Sequence, residues 1–155
     1  MSPPDPTIEA REFLYEAVMR LSSVTAFGAN LDALATGAAA PPAEGARFDF
    51  AFEGDVCGPK IAGRLTGVDY FNVRADGHFE LEIRGHLATL DGHSIAVSAG
   101  GIARRGERDG TYELREHMRY RTQAAPYAWL NTVEAWIVGR VDIASGELRV
   151  RAWAA

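Results

Sequence analysis

From residue 46 to the C-terminus the chain largely alternates apolar and polar residues with a period of two, interrupted mostly by tight, glycine-containing turns. Phe48, Phe50 and Phe52 oppose Arg47, Asp49 and Glu53. Leu65, Asp69, Phe71 and Val73 oppose Arg64, Thr66, Tyr70 and Asn72. Phe79, Leu81, Ile83 and Leu87 oppose Glu80, Glu82, Arg84 and His86, and Ile95, Val97 and Ala99 oppose Ser94 and Ser98. Tyr112, Leu114, Glu116, Met118 and Tyr120 oppose Glu113, Arg115, His117, Arg119 and Arg121. A further run holds Asn131, Val133, Ala135, Ile137, Val141 and Ile143, and Leu148, Val150 and Ala152 close the chain. Such a pattern describes strands with one dry and one wet face. Asp76-Gly77, Asp91-Gly92, Asp109-Gly110 and Ser145-Gly146 separate the runs, and Asp-Gly is a strong hairpin signal. Seven or eight sequential hairpin strands form an antiparallel meander. A meander of this size removes its open edges by closing into a barrel, wide enough at about eight strands for one small ligand. The expected fold is mainly β, a single calycin-like barrel.

The first 45 residues differ. Asp5-Pro6 reads as a helix start, and Ala10, Leu14, Ala17, Val18 and Leu21 recur at helical spacing. The pattern predicts an N-terminal α-helix over residues 6–27, ending near Gly28, with a short helical turn at Asn30–Leu34. Residues 35–45, rich in Ala, Pro and Gly, read as a linker. The division is therefore residues 1–45, helix and linker, and residues 46–155, barrel. The helix must bury its stripe on the barrel or on a second copy, so a homo-oligomer through this helix is one expectation.

Composition narrows the function classes. Hydrophobic residues make up 47% and charged residues 24%, which excludes a disordered chain. The net charge of −5 offers no basic footprint for phosphates, so no nucleic-acid partner is expected. Cys57 is the single cysteine, and the N-terminus lacks the basic and apolar regions of a secretory signal. No apolar run is long enough to span a bilayer. The expectation is a cytoplasmic protein without a membrane partner. The histidines have no zinc-type spacing, and no phosphate-binding loop, dinucleotide fingerprint or serine-nucleophile elbow is present, so no metal or cofactor is expected.

The informative residues are polar ones on the dry face. Strict alternation turns Asp69, Tyr112, Glu116, Tyr120 and Asn131 inward. A buried polar group without a partner costs about 1–3 kcal/mol, and a lone carboxylate more. Either a bulge returns them to solvent, or they form a polar cluster at the floor of a pocket walled by Phe71 and Trp129. Arg84 and Arg121 face outward by parity. Turned inward by curvature, either could hold an anionic group.

The order of Gly58-Pro59-Lys60-Ile61-Ala62-Gly63, Asp69, Arg74-Ala75-Asp76-Gly77, Arg84, Leu87-Ala88-Thr89-Leu90-Asp91-Gly92, Tyr120-Arg121-Thr122, Tyr127-Ala128-Trp129-Leu130-Asn131 and Val138-Gly139-Arg140 resembles the DUF3237 (UPF0311) family. The resemblance covers about residues 46–153. It implies a small calycin-like β-barrel and no established chemistry. The N-terminal helix is an addition to that pattern, and the stretch between Thr122 and Tyr127 is short for it. Asp69 and Asn131 fall on recurring positions of the family.

These readings converge on a barrel that binds a small apolar or aromatic molecule through a few polar anchors. The alternative is a cofactor-independent acid–base enzyme, a lyase or isomerase, in the same pocket. Asp69 is then the base and Asn131 or Tyr120 the donor, with Phe71, Arg84, Glu116, Arg121 and Trp129 as ligand contacts. A third reading is a structural homo-oligomeric barrel without ligand.

Overall fold

The computed structural model describes residues 12–155. Eight antiparallel strands form a closed barrel in simple sequential order: β1 (Glu12–Ala26), β2 (Ala46–Cys57), β3 (Ala62–Val73), β4 (Phe79–Thr89), β5 (Ser94–Arg105), β6 (Thr111–Arg121), β7 (Glu134–Asp142) and β8 (Glu147–Ala154). β8 pairs with β1, so every strand has two neighbours and no edge is open. A short helix, α1 (Leu31–Thr36), interrupts the β1–β2 connection, and a 3-10 helix (Ala125–Thr132) lies between β6 and β7. The hairpins fall at the Asp-Gly signals. Gly77 and Gly92 take φ of +88° and +87°, which residues with a Cβ rarely adopt.

The alternation places the core where the sequence puts it. Phe50, Leu81, Ile83, Val97, Leu114 and Ile137 are buried, while Glu82 and Arg149 are exposed. Val133 and Glu80 are half-buried. The inner wall runs through Phe48, Phe50 and Phe52 of β2, Leu65, Asp69, Phe71 and Val73 of β3, and Tyr112, Leu114, Glu116, Met118 and Tyr120 of β6.

The expected N-terminal helix is a strand. The helix start at Asp5-Pro6 lies outside the described residues, but Glu12–Ala26 is β1. Ala17 stands between Val56 of β2 and Val150 of β8, and Met19 between Gly54 and Leu148. Tyr15, Ala17 and Met19 are buried, whereas Val18, a member of the helical stripe, is 41% exposed. The residues of this segment, rich in Glu, Ala, Met, Leu and Arg, favour a helix locally. Ladder pairing along both edges outweighs that preference, because without β1 one edge each of β2 and β8 would be left open. Two register shifts, at Phe13/Tyr15 and Leu21/Ser23, blur the period of two. The first lets Leu14 and Tyr15, adjacent in sequence, both reach the core. An oligomer built through an N-terminal helix therefore has no such helix to use over residues 12–26.

The barrel ends differ. At one end lie α1 and the hairpins at residues 74–78, 106–110 and 143–146. At the other lie the 3-10 helix and the turns at residues 58–61 and 90–93. This second end is closed by Leu14, Ile61 and Leu130, each at most 2% exposed.

Candidate active site under the α1 helix

α1 forms where the sequence reading places a helical turn. Asn30 caps it by accepting from the Ala33 N–H at 2.9 Å, and the Gly37 N–H returns to the Leu34 carbonyl. Two long-range bonds hold it on the barrel mouth. Arg105 of β5 donates to the Leu34 carbonyl at 3.1 Å, and the Tyr112 hydroxyl of β6 donates to the Ala35 carbonyl at 3.4 Å.

Beneath α1 is a cavity of about 60 Å³, lined by Leu31, Leu34 and Ala35 from above and by strand side chains around it. That is room for about two waters at liquid density. Phe50, Phe71, Phe79 and Tyr112 form one wall, with successive ring centroids 5.4, 5.5 and 5.4 Å apart. The polar side chains that line it are Asp69 of β3, Glu116 of β6 and Tyr112, whose hydroxyl is already engaged.

Asp69 sits where the β3–β4 ladder opens. Pairing runs to Asp69↔Ile83 and resumes at Asn72↔Glu80 in the same register, leaving Tyr70 and Phe71 unpaired with that neighbour. The Glu82 N–H, on the unpaired stretch of β4, donates instead to the Asp69 carboxylate at 3.1 Å. Burial pushes the Asp69 pKa up to about 7; the Glu82 N–H opposes this, and the charges of Glu82 and Asp49 add to it. Glu116 is 5% exposed. Its carboxyl lines the cavity and is named in no hydrogen bond among the described residues, and since no buried side-chain oxygen or nitrogen there lacks a partner, its oxygens reach the cavity's open space. Burial, followed by the charge of Asp69, pushes its pKa up to about 8.

Beyond Glu116 on the inner face of β6, the Tyr120 and Tyr15 hydroxyls lie 2.8 Å apart, and Tyr15 donates to the Met118 sulfur at 3.3 Å. Burial raises both phenol pKa values, and the Glu116 charge adds to each.

The structure brings together Asp69, Phe71 and Glu116. The other expected site residues lie elsewhere. Tyr120 is inside the barrel but does not line this cavity; it is bonded to Tyr15. Asn131 is exposed on the 3-10 helix, which replaces the strand expected there, and its amide brackets the Thr122 peptide. Trp129 is half-buried at the opposite barrel end, with Lys60 Nζ 5.2 Å from its ring centroid. Arg84 and Arg121 remain outward, as parity requires, and share with Asn131 an open groove on the outer wall. Two contributors escaped the sequence reading. Tyr15 was hidden by the helical reading of its segment. The cover residues Leu31, Leu34 and Ala35 were detectable only as a capped turn between Asn30 and Gly37.

No helix among the described residues is long and apolar enough to cross a membrane. The chain resembles several solved structures at identities that speak to fold alone. A β-barrel-like protein from Acinetobacter baumannii AYE aligns with a TM-score of 0.77 at 21% identity, covering 99% of this chain and 99% of the other. A conserved protein of unknown function from Rhodopseudomonas palustris aligns with a TM-score of 0.70 at 24% identity, covering 96% and 98%. An enzyme from Penicillium herquei aligns with a TM-score of 0.64 at 18% identity, covering 99% and 98%. No curated protein matches the chain. The family model described as "Protein of unknown function (DUF3237)" matches residues 19–154, which takes in much of β1 as well as the barrel strands expected to carry the resemblance. The chain belongs to the DUF3237 family.

Proposed function

We propose that the barrel binds a small apolar or aromatic molecule in the cavity beneath α1, with Asp69 and Glu116 as its polar anchors. The observation that carries this reading is the Glu116 carboxyl, on a residue 5% exposed, opening on an otherwise largely apolar cavity. A barrel that was merely packed would be expected to carry an apolar residue there, since burial disfavours an acid. Ligand sites have this anatomy, mostly apolar walls with a few convergent polar groups. Purification followed by crystallography tests it. Density in the cavity of the wild type that is lost in Glu116→Gln supports the reading. A cavity that stays empty or water-filled after soaking with small aromatic probes removes it.

A second reading, a cofactor-independent acid–base enzyme, is favoured by one further observation. Asp69 and Glu116, with pKa values near 7 and 8, offer a base and an acid at neutral pH in one cavity. Asn131 drops out as donor, and Glu116 takes that place. The similar Penicillium herquei protein is described as an enzyme. Solvent deuterium appearing at carbon in a bound molecule, and disappearing in Asp69→Asn, separates catalysis from binding.

A further inference from the structure

We propose that the cavity is built for a small organic cation, an ammonium nitrogen carried on an apolar body, with the nitrogen held by Asp69 and Glu116. This rests on the binding reading above and names the class of ligand.

The first argument is charge balance. Buried carboxylates in folded proteins are paired with cations. Here two carboxyl groups line one cavity, and none of the described side chains lining it is Arg, Lys or His. The basic residue at the rim, Arg105, is directed elsewhere: it donates to the Leu34 carbonyl, and its guanidinium carbon lies 6.0 Å from the Phe79 ring centroid. With no basic side chain described in the lining, the acids ionise readily only against a cation that enters with the ligand. An anion finds two acids and no donor cation.

The second argument is the wall. The faces and edges of Phe50, Phe71, Phe79 and Tyr112 form a continuous aromatic surface beside the acids. Ring faces attract an organic cation, most strongly where water is excluded. The cavity volume limits the apolar body to a short chain of a few heavy atoms.

The acids also define what happens on entry. In the empty cavity burial holds Glu116 protonated at neutral pH and Asp69 partly so. An ammonium ion favours the carboxylate form, so the carboxyl O–H gives its proton to a buffer base in solvent while the ligand keeps its own, and no other bond changes. Asp69 acts on Glu116, and Glu82 and Asp49 act on Asp69; the other titratable groups around them are Tyr15 of β1 and Tyr120 of β6, which feel the Glu116 charge, and Tyr112 of β6, which feels that of Arg105 on β5. β7 and β8 contribute only Val141 and Leu148 to the lining.

Titration calorimetry with isopropylammonium and its near-isostere isopropanol, at neutral pH in two buffers of different ionisation enthalpy, tests the proposal. Wild type should bind the ammonium at least about tenfold more tightly and release up to one proton per ligand. Glu116→Gln and Asp69→Asn should each reduce both the preference and the release. The proton count is made on wild type, so it stands even where a variant folds poorly. If isopropanol binds as tightly, or no proton is released, the cation inference is overturned and the binding reading survives. If neither compound binds, both fall.

Discussion

The Asn131 side chain brackets the peptide of Thr122: its Oδ1 accepts from the Thr122 N–H and its Nδ2 donates to the Thr122 carbonyl, both at 2.8 Å. This clamp fixes the 3-10 helix to the end of β6, where Thr122 is buried and its hydroxyl donates to the Ser94 carbonyl. Asn131→Ala should therefore cost about 1–3 kcal/mol of unfolding free energy, from two lost bonds and a buried peptide left unsatisfied. Asn131→Asp keeps the acceptor but sets a carboxylate oxygen against the Thr122 carbonyl, so at neutral pH it should cost at least as much. Urea denaturation gives the stabilities, and ligand affinity in the cavity should not move.

The same end of the barrel shows why part of the site was legible in the sequence and part was not. Tyr127 donates to Asp91 at 2.7 Å across two further segments of the family resemblance. The recurring pieces Leu90-Asp91-Gly92, Tyr120-Arg121-Thr122 and Tyr127–Asn131 thus meet in bonds that close the barrel end opposite the cavity. A sequence pattern alone does not separate a residue that holds a turn from one that holds a ligand. Asp69 and Glu116 were readable because parity is enforced by the dry interior, so an acid on that face has nowhere else to point. Asn131 failed the same test because the chain leaves the strand before it. β1 failed for a different reason: Ala17 and Leu21 belong to both a period of 3.6 and a period of two, and only pairing with β2 and β8 decides between them.

The buried acids give stability an unusual pH dependence. Asp69 and Glu116 have folded pKa values near 7 and 8, above those of ordinary carboxyls, so between about pH 4 and 8 the folded state binds more protons than the unfolded state. Stability therefore falls as pH rises through that window, by up to about 1.4 kcal/mol per pH unit for each proton. Asp76 and Asp91 are held below the usual range, chiefly by hydrogen bonds with His78 and Thr89 respectively, and act oppositely at lower pH. Glu116→Gln should match wild type near pH 4 and exceed its thermal midpoint near pH 8. Midpoints that coincide across the range would show that Glu116 ionises freely in the fold.

The bonds from Arg105 and Tyr112 to α1 predict a separable cover. Arg105→Ala removes the bond to the Leu34 carbonyl and Tyr112→Phe the bond to the Ala35 carbonyl. Each should cost about 1 kcal/mol locally. Amide hydrogen exchange over residues 31–37 should accelerate in both variants, while exchange in β4 and β5 stays slow. Uniform acceleration across the barrel would mean that α1 unfolds only with the whole structure.

The strand assignment of residues 12–26 has the largest consequence. Ala17 is fully buried and pairs with Val56 on one side and Val150 on the other. Proline there removes an N–H from a strand that has no free edge, and its ring does not fit a central ladder. On a surface helix packed beside a complete barrel, Ala17→Pro would break the helix and leave the strands paired. In this barrel it should open the seam on both sides of β1, uncovering the ladder edges of β2 and β8. Such edges recruit other chains, so the variant should aggregate or lose cooperative unfolding, as should a chain lacking residues 1–26. Val18→Thr, on the outer face of the same strand, should change stability by less than about 1 kcal/mol. Light scattering and thermal unfolding of the variants decide between the two arrangements. A soluble, cooperatively folding Ala17→Pro protein would show that the barrel closes without β1.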